Sequence, residues 1–318
     1  MMGRTDSAAR KGCCVPGPGS AGPSGAVWPK TSPDPPNLNL VFLSGGSFDM
    51  GADDGPHPED GEGPIREVTL DPFAIAPLTV TNAQFARFVT ETNYVTCAEQ
   101  DGFSYVFQGL VPASCTAYER VRQAPWWVKL DGASWLRPEG PLGGHAEARA
   151  DHPAVHIARP DALAYCAWAG VRLPTEAEWE FAARGGLAGK PYPWGDKLED
   201  GGAHHCNIWQ GRFPDFNSGA DGFIGTAPAG CYAPNSYGLF AMTGNVWEWT
   251  ADRFTTLHSP RPCRNPKGPL NGRRYVAKGG SYLCHASYCH RYRTSSRQAL
   301  DPMSTAGNLG FRVASDIH

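Results

Sequence analysis

The chain has 318 residues, with 28 lysines and arginines against 31 aspartates and glutamates, a formal charge of −3. That balance sets up no global field for nucleic acid or an anionic membrane surface, and no apolar run approaches the roughly 20 residues of a membrane span. An apolar content of 41% supports a core at this length, while 38 glycines, 29 prolines and 10 tryptophans point to irregular backbone held by large aromatic anchors.

Residues 1–36 are rich in Gly, Pro and Ser and read as a disordered segment without the apolar centre of a secretory signal. Cys13 and Cys14 lie within it and are read as doing no chemistry. Residues 37–71 alternate apolar runs with turn clusters, the pattern of short strands joined by loops. A helix follows in TNAQFARFVTETNY, where Thr81 and Gln84 form a capping box and Phe85, Phe88 and Val89 share a face. A second helix is predicted from about Asp161 to Trp168. A third follows Pro174, with Thr175 and Glu178 as a capping box, Trp179, Ala182 and Ala183 inward, and Gly185-Gly186 as the stop. Beyond Pro191, short strands are predicted at 238–242, 275–279 and 310–314. No repeat and no mid-chain linker divides residues 37–318, so the prediction is one α+β domain.

Ten cysteines are spread too widely for a disulfide scaffold, and no paired CxxC or HExxH zinc pattern is present. Buried, reduced thiols in a reducing cytoplasm are the expectation. One pair stands out in GGSYLCHASYCHRYR: Cys284 and Cys289. Residues five apart face opposite sides of a straight strand, and on a helix at roughly 100° per residue they diverge by about 140°. A turn through His285-Ala286-Ser287 could bring the sulfurs together, so a functional pair requires a loop or a bent strand here, which Gly279-Gly280 supports. Two thiolates are a soft donor set for Cu(I), zinc or an iron–sulfur cluster. Zinc and clusters want four ligands, and His285 and His290 adjoin the cysteines too closely for relaxed ligation. Physical chemistry alone leaves Cu(I), a dithiol redox pair and two unconnected structural thiols open.

KGGSYLCHASYCHRYR followed by NLGFR resembles the C-terminal signature of the formylglycine-generating enzymes, the sulfatase-modifying oxidases. RLPTEAEWEFAARGG, YPWGDKL, NIWQGRFP, DGFIGTAPAG, YGLFAMTGNVWEWTAD and NPKGP are similar to further family stretches, so that the resemblance spans about Asn37 to Arg312. LPTEAEWE and GNVWEW mark a wider superfamily that also holds iron-dependent sulfoxide synthases and non-catalytic peptide- or sugar-binding modules; the thiol block is the discriminating part. The resemblance implies a formylglycine-generating, C-type-lectin-like domain with little regular secondary structure and long loops. It implies conversion of the cysteine in a Cys-X-Pro-X-Arg segment of an unfolded sulfatase polypeptide to Cα-formylglycine, using O2, Cu(I) and an external thiol reductant.

Carried over by residue, Cys284 and Cys289 would ligate Cu(I), with the substrate cysteine as a third thiolate. Ser281 matches an active-site serine, Trp247 and Tyr288 residues near an oxygen pocket, and Asn308 the substrate cleft. Asp101 is the nearest acidic residue for the substrate arginine, and Trp126-Trp127 would wall the peptide groove. A structural Ca2+ site matches Asn207, Ile208, Asp221 and Phe223, with the two apolar residues giving main-chain carbonyls. A second maps to Gly244, Val246 and Glu248, with Ala241 where a side-chain asparagine is expected. The family's secretory disulfides have no counterparts: Cys166 would face Val313, and Ala183 and Thr294 occupy the other pair. The chain therefore resembles the bacterial, cytoplasmic type.

Overall fold

The computed structural model describes residues 14–17 and 29–317. Helix α1 spans Asn82–Thr92, α2 Cys97–Asp101, α3 Arg159–Ala169 and α4 Glu176–Arg184. Three of them start on a reciprocal box in which a threonine side chain accepts the N3 amide and the N3 side chain returns the favour: Thr81 with Gln84, Thr96 with Glu99 and Thr175 with Glu178. α3 begins two residues before the expected Asp161, with Pro160 in its first turn and the Asp161 carboxylate accepting from Ala158 N. Asn93, Gly102, Gly170 and Gly185 end the four helices in the left-handed conformation.

The strands are short and fall into several small sheets, in keeping with the α+β expectation. The largest sheet orders Arg297–Leu300, Tyr275–Lys278, Trp247–Arg253 and Leu309–Phe311. Its first three strands pair antiparallel, and the last runs parallel to Trp247–Arg253. A second sheet lays Phe73–Ile75 between Val41–Leu43 and Ala314–Asp316, tying the beginning of the domain to its end.

No strand forms at 238–242. The Asn235 side chain accepts from the amides of Tyr237 and Leu239, Gly238 takes a positive φ, and the segment closes into a turn. The strand expected at 310–314 divides between two sheets, because buried Arg312 turns inward to the carbonyls of Ala76, Pro77 and Phe240.

Among the described residues, six cations lie buried against carboxylates: Arg184 and Lys278 with Glu180, Arg291 with Asp60, Arg293 with Glu62, Arg297 with Glu176 and Arg312 with Glu248. Two of these pairs, Asp60–Arg291 and Glu62–Arg293, bind the segment after Cys289 to the loop around Pro58–Asp60. They fix the far side of the thiol turn.

The N-terminal reading needs correction where it can be tested. Cys14 and Val15 are buried in the main apolar core, and Ser32 donates its amide to Trp168 O. Cys13 lies outside the described residues.

Candidate active site

The turn between the two cysteines is built on one carbonyl. His285 O accepts from the amides of Tyr288, Cys289 and His290 at 3.0, 3.0 and 3.1 Å. His290 carries a positive φ of 47°, which reverses the chain after Cys289. On the near side Cys284 N donates to Ser281 O at 2.8 Å, and Trp209 N donates to Cys284 O at 3.0 Å. The bend proposed through 285–287 is thus present. The sulfurs of Cys284 and Cys289 lie within 4.8 Å of each other, and both residues are 1% exposed.

A third sulfur, from Cys14, lies within the same 4.8 Å of both. Cys14, whose sequence context reads as doing no chemistry, thus stands beside the thiol pair. The sequence held a signal for it only in the spacing Cys14-Val15-Pro16, which its Gly/Pro-rich surroundings mask.

Burial pushes the thiols of Cys284 and Cys289 above the ordinary cysteine range. A protonated dithiol in an apolar wall is a poor nucleophile but a ready ligand once a cation compensates the thiolates. The grouped donors are all cysteine sulfurs, a soft and small set, so the residues present fit a monovalent soft ion.

Ser281 N donates to Cys284 Sγ at 3.4 Å, and Ser281 Oγ accepts from Asn308 Nδ2 at 3.0 Å and Leu283 N at 3.4 Å. Asn308 is fully buried, and its Oδ1 has no partner among the described residues. Trp247 lies in the same core cluster, fully buried, with its indole Nε1 likewise unpartnered among the described residues. Tyr288 stacks on Phe213 at 4.4 Å and meets Trp126 edge-on at 5.0 Å, which makes an aromatic wall beside the turn. Trp127, by contrast, points into the core at 0% exposure. Asp101 sits at the C-terminal end of α2, half-buried, where its charge helps raise the Cys97 thiol and the Tyr105 hydroxyl.

In the first oxygen-rich set, Asp221 is hydrogen-bonded to the main-chain amides of two other members. Asp221 accepts from Ile208 N at 3.0 Å and Phe223 N at 3.3 Å, and Asn207 Nδ2 donates to Gly225 O at 2.9 Å. Burial raises the Asp221 carboxyl above its usual range, against the lowering effect of those amides. In the second set, the Glu248 carboxylate is engaged by side chains of the protein itself. Glu248 Oε2 accepts from Arg312 Nε at 2.6 Å and from Trp179 Nε1 at 2.7 Å, and Oε1 accepts from Arg312 Nη2 at 2.8 Å. Gly244 instead packs against the Asn207 backbone with no room for a Cβ, and Val246 is buried behind it. Glu248 is the internal partner of Arg312.

Residues 27–317 match the sulfatase-modifying factor enzyme 1-like domain. The chain is 50% identical over 294 residues to the formylglycine-generating enzyme of Thermomonospora curvata, covering 91% of this chain and 97% of that one. It is 44% identical over 283 residues to the Bos taurus protein named inactive C-alpha-formylglycine-generating enzyme 2, covering 87% and 88%. The solved structure of PvdO from Pseudomonas aeruginosa superposes with a TM-score of 0.65 at 26% identity, covering 87% of this chain and 94% of that one. No helix among the described residues is long and apolar enough to cross a membrane. By the extent of these matches, the chain belongs to the sulfatase-modifying factor, or formylglycine-generating, family.

Proposed function

We propose that this protein converts the cysteine of a Cys-X-Pro-X-Arg segment in an unfolded sulfatase polypeptide to Cα-formylglycine, in a reducing cytoplasm. The observation that carries this reading is the juxtaposition of the Cys284 and Cys289 sulfurs on a turn beside the Ser281–Asn308 hydrogen bond. Cys284 and Cys289 would hold Cu(I), which supplies redox chemistry with O2 at a soft, low-coordinate site. Dioxygen takes up more electrons than the cysteine yields, and an external thiol reductant supplies the remainder.

The other roles belong to the chain's own groups. Ser281 has its hydroxyl oxygen engaged by Asn308 and Leu283, which leaves its proton for a guest atom. Trp247 Nε1 is a buried donor ready for a small polar guest. Tyr288, Phe213 and Trp126 exclude water from the adjoining wall. Asn207, Ile208, Asp221 and Phe223 would hold a structural Ca2+, whose charge offsets the cost of burying Asp221.

The test is a peptide of Leu-Cys-Thr-Pro-Ser-Arg type incubated with reduced protein, Cu(I), O2 and a thiol. Exchange of CH2SH for CHO removes about 18 Da. Cys284→Ser and Cys289→Ser should lose both metal and turnover. Ser281→Ala should keep the metal and lose at least about tenfold in kcat/KM, the cost of one positioned hydrogen bond in the transition state. Wild-type turnover that survives a strong Cu(I) chelator would replace this reading with a metal-free dithiol oxidase. No mass loss at any copper loading would leave a non-catalytic binding module.

A further inference from the structure

Among the described residues, Cys14 is the one far in sequence from the thiol turn whose sulfur joins those of Cys284 and Cys289. It is 4% exposed, and its neighbour Val15 is 2% exposed within the core cluster that contains Cys284 and Cys289. Its sulfur lies within 4.8 Å of both turn sulfurs. Its carbonyl accepts from Asn308 Nδ2 at 2.9 Å, the same amide nitrogen that holds Ser281 Oγ. Arg291, fixed by Asp60, directs Nη1 at the Cys14 sulfur from 3.7 Å. Backbone, side chain and charge are therefore all met, which a chance approach of one thiol would not require. The segment reads Cys14-Val15-Pro16-Gly17-Pro18. Its first four positions satisfy the Cys-X-Pro-X pattern proposed for the substrate, and a proline replaces the arginine at the fifth.

We propose that residues 14–17 are an internal occupant of the substrate position, with Cys14 the third sulfur donor of a three-thiolate site for a soft monovalent ion. The inference rests on the function proposed above and deepens it. An incoming cysteine segment must displace the protein's own. A tethered segment acts at an effective concentration of about millimolar, so a segment of even weak intrinsic affinity competes with free peptide. The absent arginine keeps the occupant exchangeable, because it lacks the charge that a true substrate brings.

Ag(I), a redox-inert stand-in for Cu(I), separates the possibilities. X-ray absorption on the silver-loaded full chain should count three sulfurs per metal in wild type and two in Cys14→Ser. A fluorescent Leu-Cys-Thr-Pro-Ser-Arg peptide should bind the silver-loaded Cys14→Ser protein at least tenfold more tightly than wild type. Val15→Asp, which expels the segment but keeps its thiol, should give the same tightening. Equal sulfur counts in wild type and Cys14→Ser, or equal peptide affinity in all three proteins, overturn the proposal. Loss of silver binding on Cys284→Ser but not on Cys14→Ser, with the sulfur count unchanged, sinks the internal occupant and leaves the two-cysteine site standing. Silver binding retained without Cys284 sinks that site as well.

Discussion

Asp221 is 8% exposed and faces two main-chain amides, with no buried cation paired to it among the ion pairs of the described residues. Burying a carboxylate on amides alone is costly, and its raised proton affinity is the signature of that cost. A divalent ion would remove the penalty. Calcium should therefore raise the melting temperature of the wild type, a chelator should reverse the gain, and Asp221→Asn should abolish the response. By linkage the stabilisation is about 2.7 kcal/mol at a hundredfold excess of Ca2+ over its Kd. Thermal melts with and without calcium decide it; identical shifts in wild type and variant would remove Asp221 from any such site. Glu248 shows the opposite case at the same scale. Its motif resembles a ligand position, yet Arg312 has taken its oxygens, and only the approach of Leu309–Phe311 to Trp247–Arg253 brings that arginine within reach.

The thiol turn is irregular and braced by buried ion pairs. Its outgoing limb is held by Arg291 on Asp60 and by Arg293 and Ser295 on Glu62. Glu62 and Arg293 are 3% and 6% exposed. Removing one partner of such a pair strands a buried charge at about 3–5 kcal/mol, whereas removing both costs far less than the sum. Glu62→Ala should destabilise the protein by that amount in urea denaturation, and adding Arg293→Ala should restore part of it. Additive losses would mean that the pair is not coupled. The turn's geometry was legible from Cys284 and Cys289 because five-residue spacing excludes both regular elements. The brace was not, since Glu62 and Arg293 are 231 residues apart and nothing local marks either as a partner.

For the whole molecule, acid stability is set by groups that folding strips of water. His156 is fully buried, with Nδ1 to Ser104 Oγ at 2.7 Å and Nε2 to Pro138 O at 2.9 Å, so Nε2 donates and Nδ1 accepts. Burial depresses its pKa from 6.5 to about 4. The unfolded chain then takes up a proton below pH 6.5 that the folded chain refuses down to about 4, and stability drains across that window. Asp161, raised by burial to about 6, works in the other direction: the folded protein gains a proton first as pH falls. The two partly cancel, so the wild-type curve alone is uninformative. His156→Gln should gain on wild type as pH falls from 6.5 to 4, by on the order of 3 kcal/mol. Parallel stability–pH curves for the two proteins would contradict it.

What the sequence determined by itself was local. Threonine with glutamine or glutamate three residues on starts two of the helices expected from the sequence, and the same signal at Thr96 and Glu99, not read there, starts α2. It also set the condition that Cys284 and Cys289 can act as a pair only across a bend, because neither regular element brings residues five apart together. Tertiary structure alone decided which distant groups share a cavity. Cys14 meets Cys284 across 270 residues of chain, and Asn308 ties Cys14 to Ser281. Burial and charge pairing act through space, and a chain rich in glycine and proline records little in its sequence of where its loops will meet.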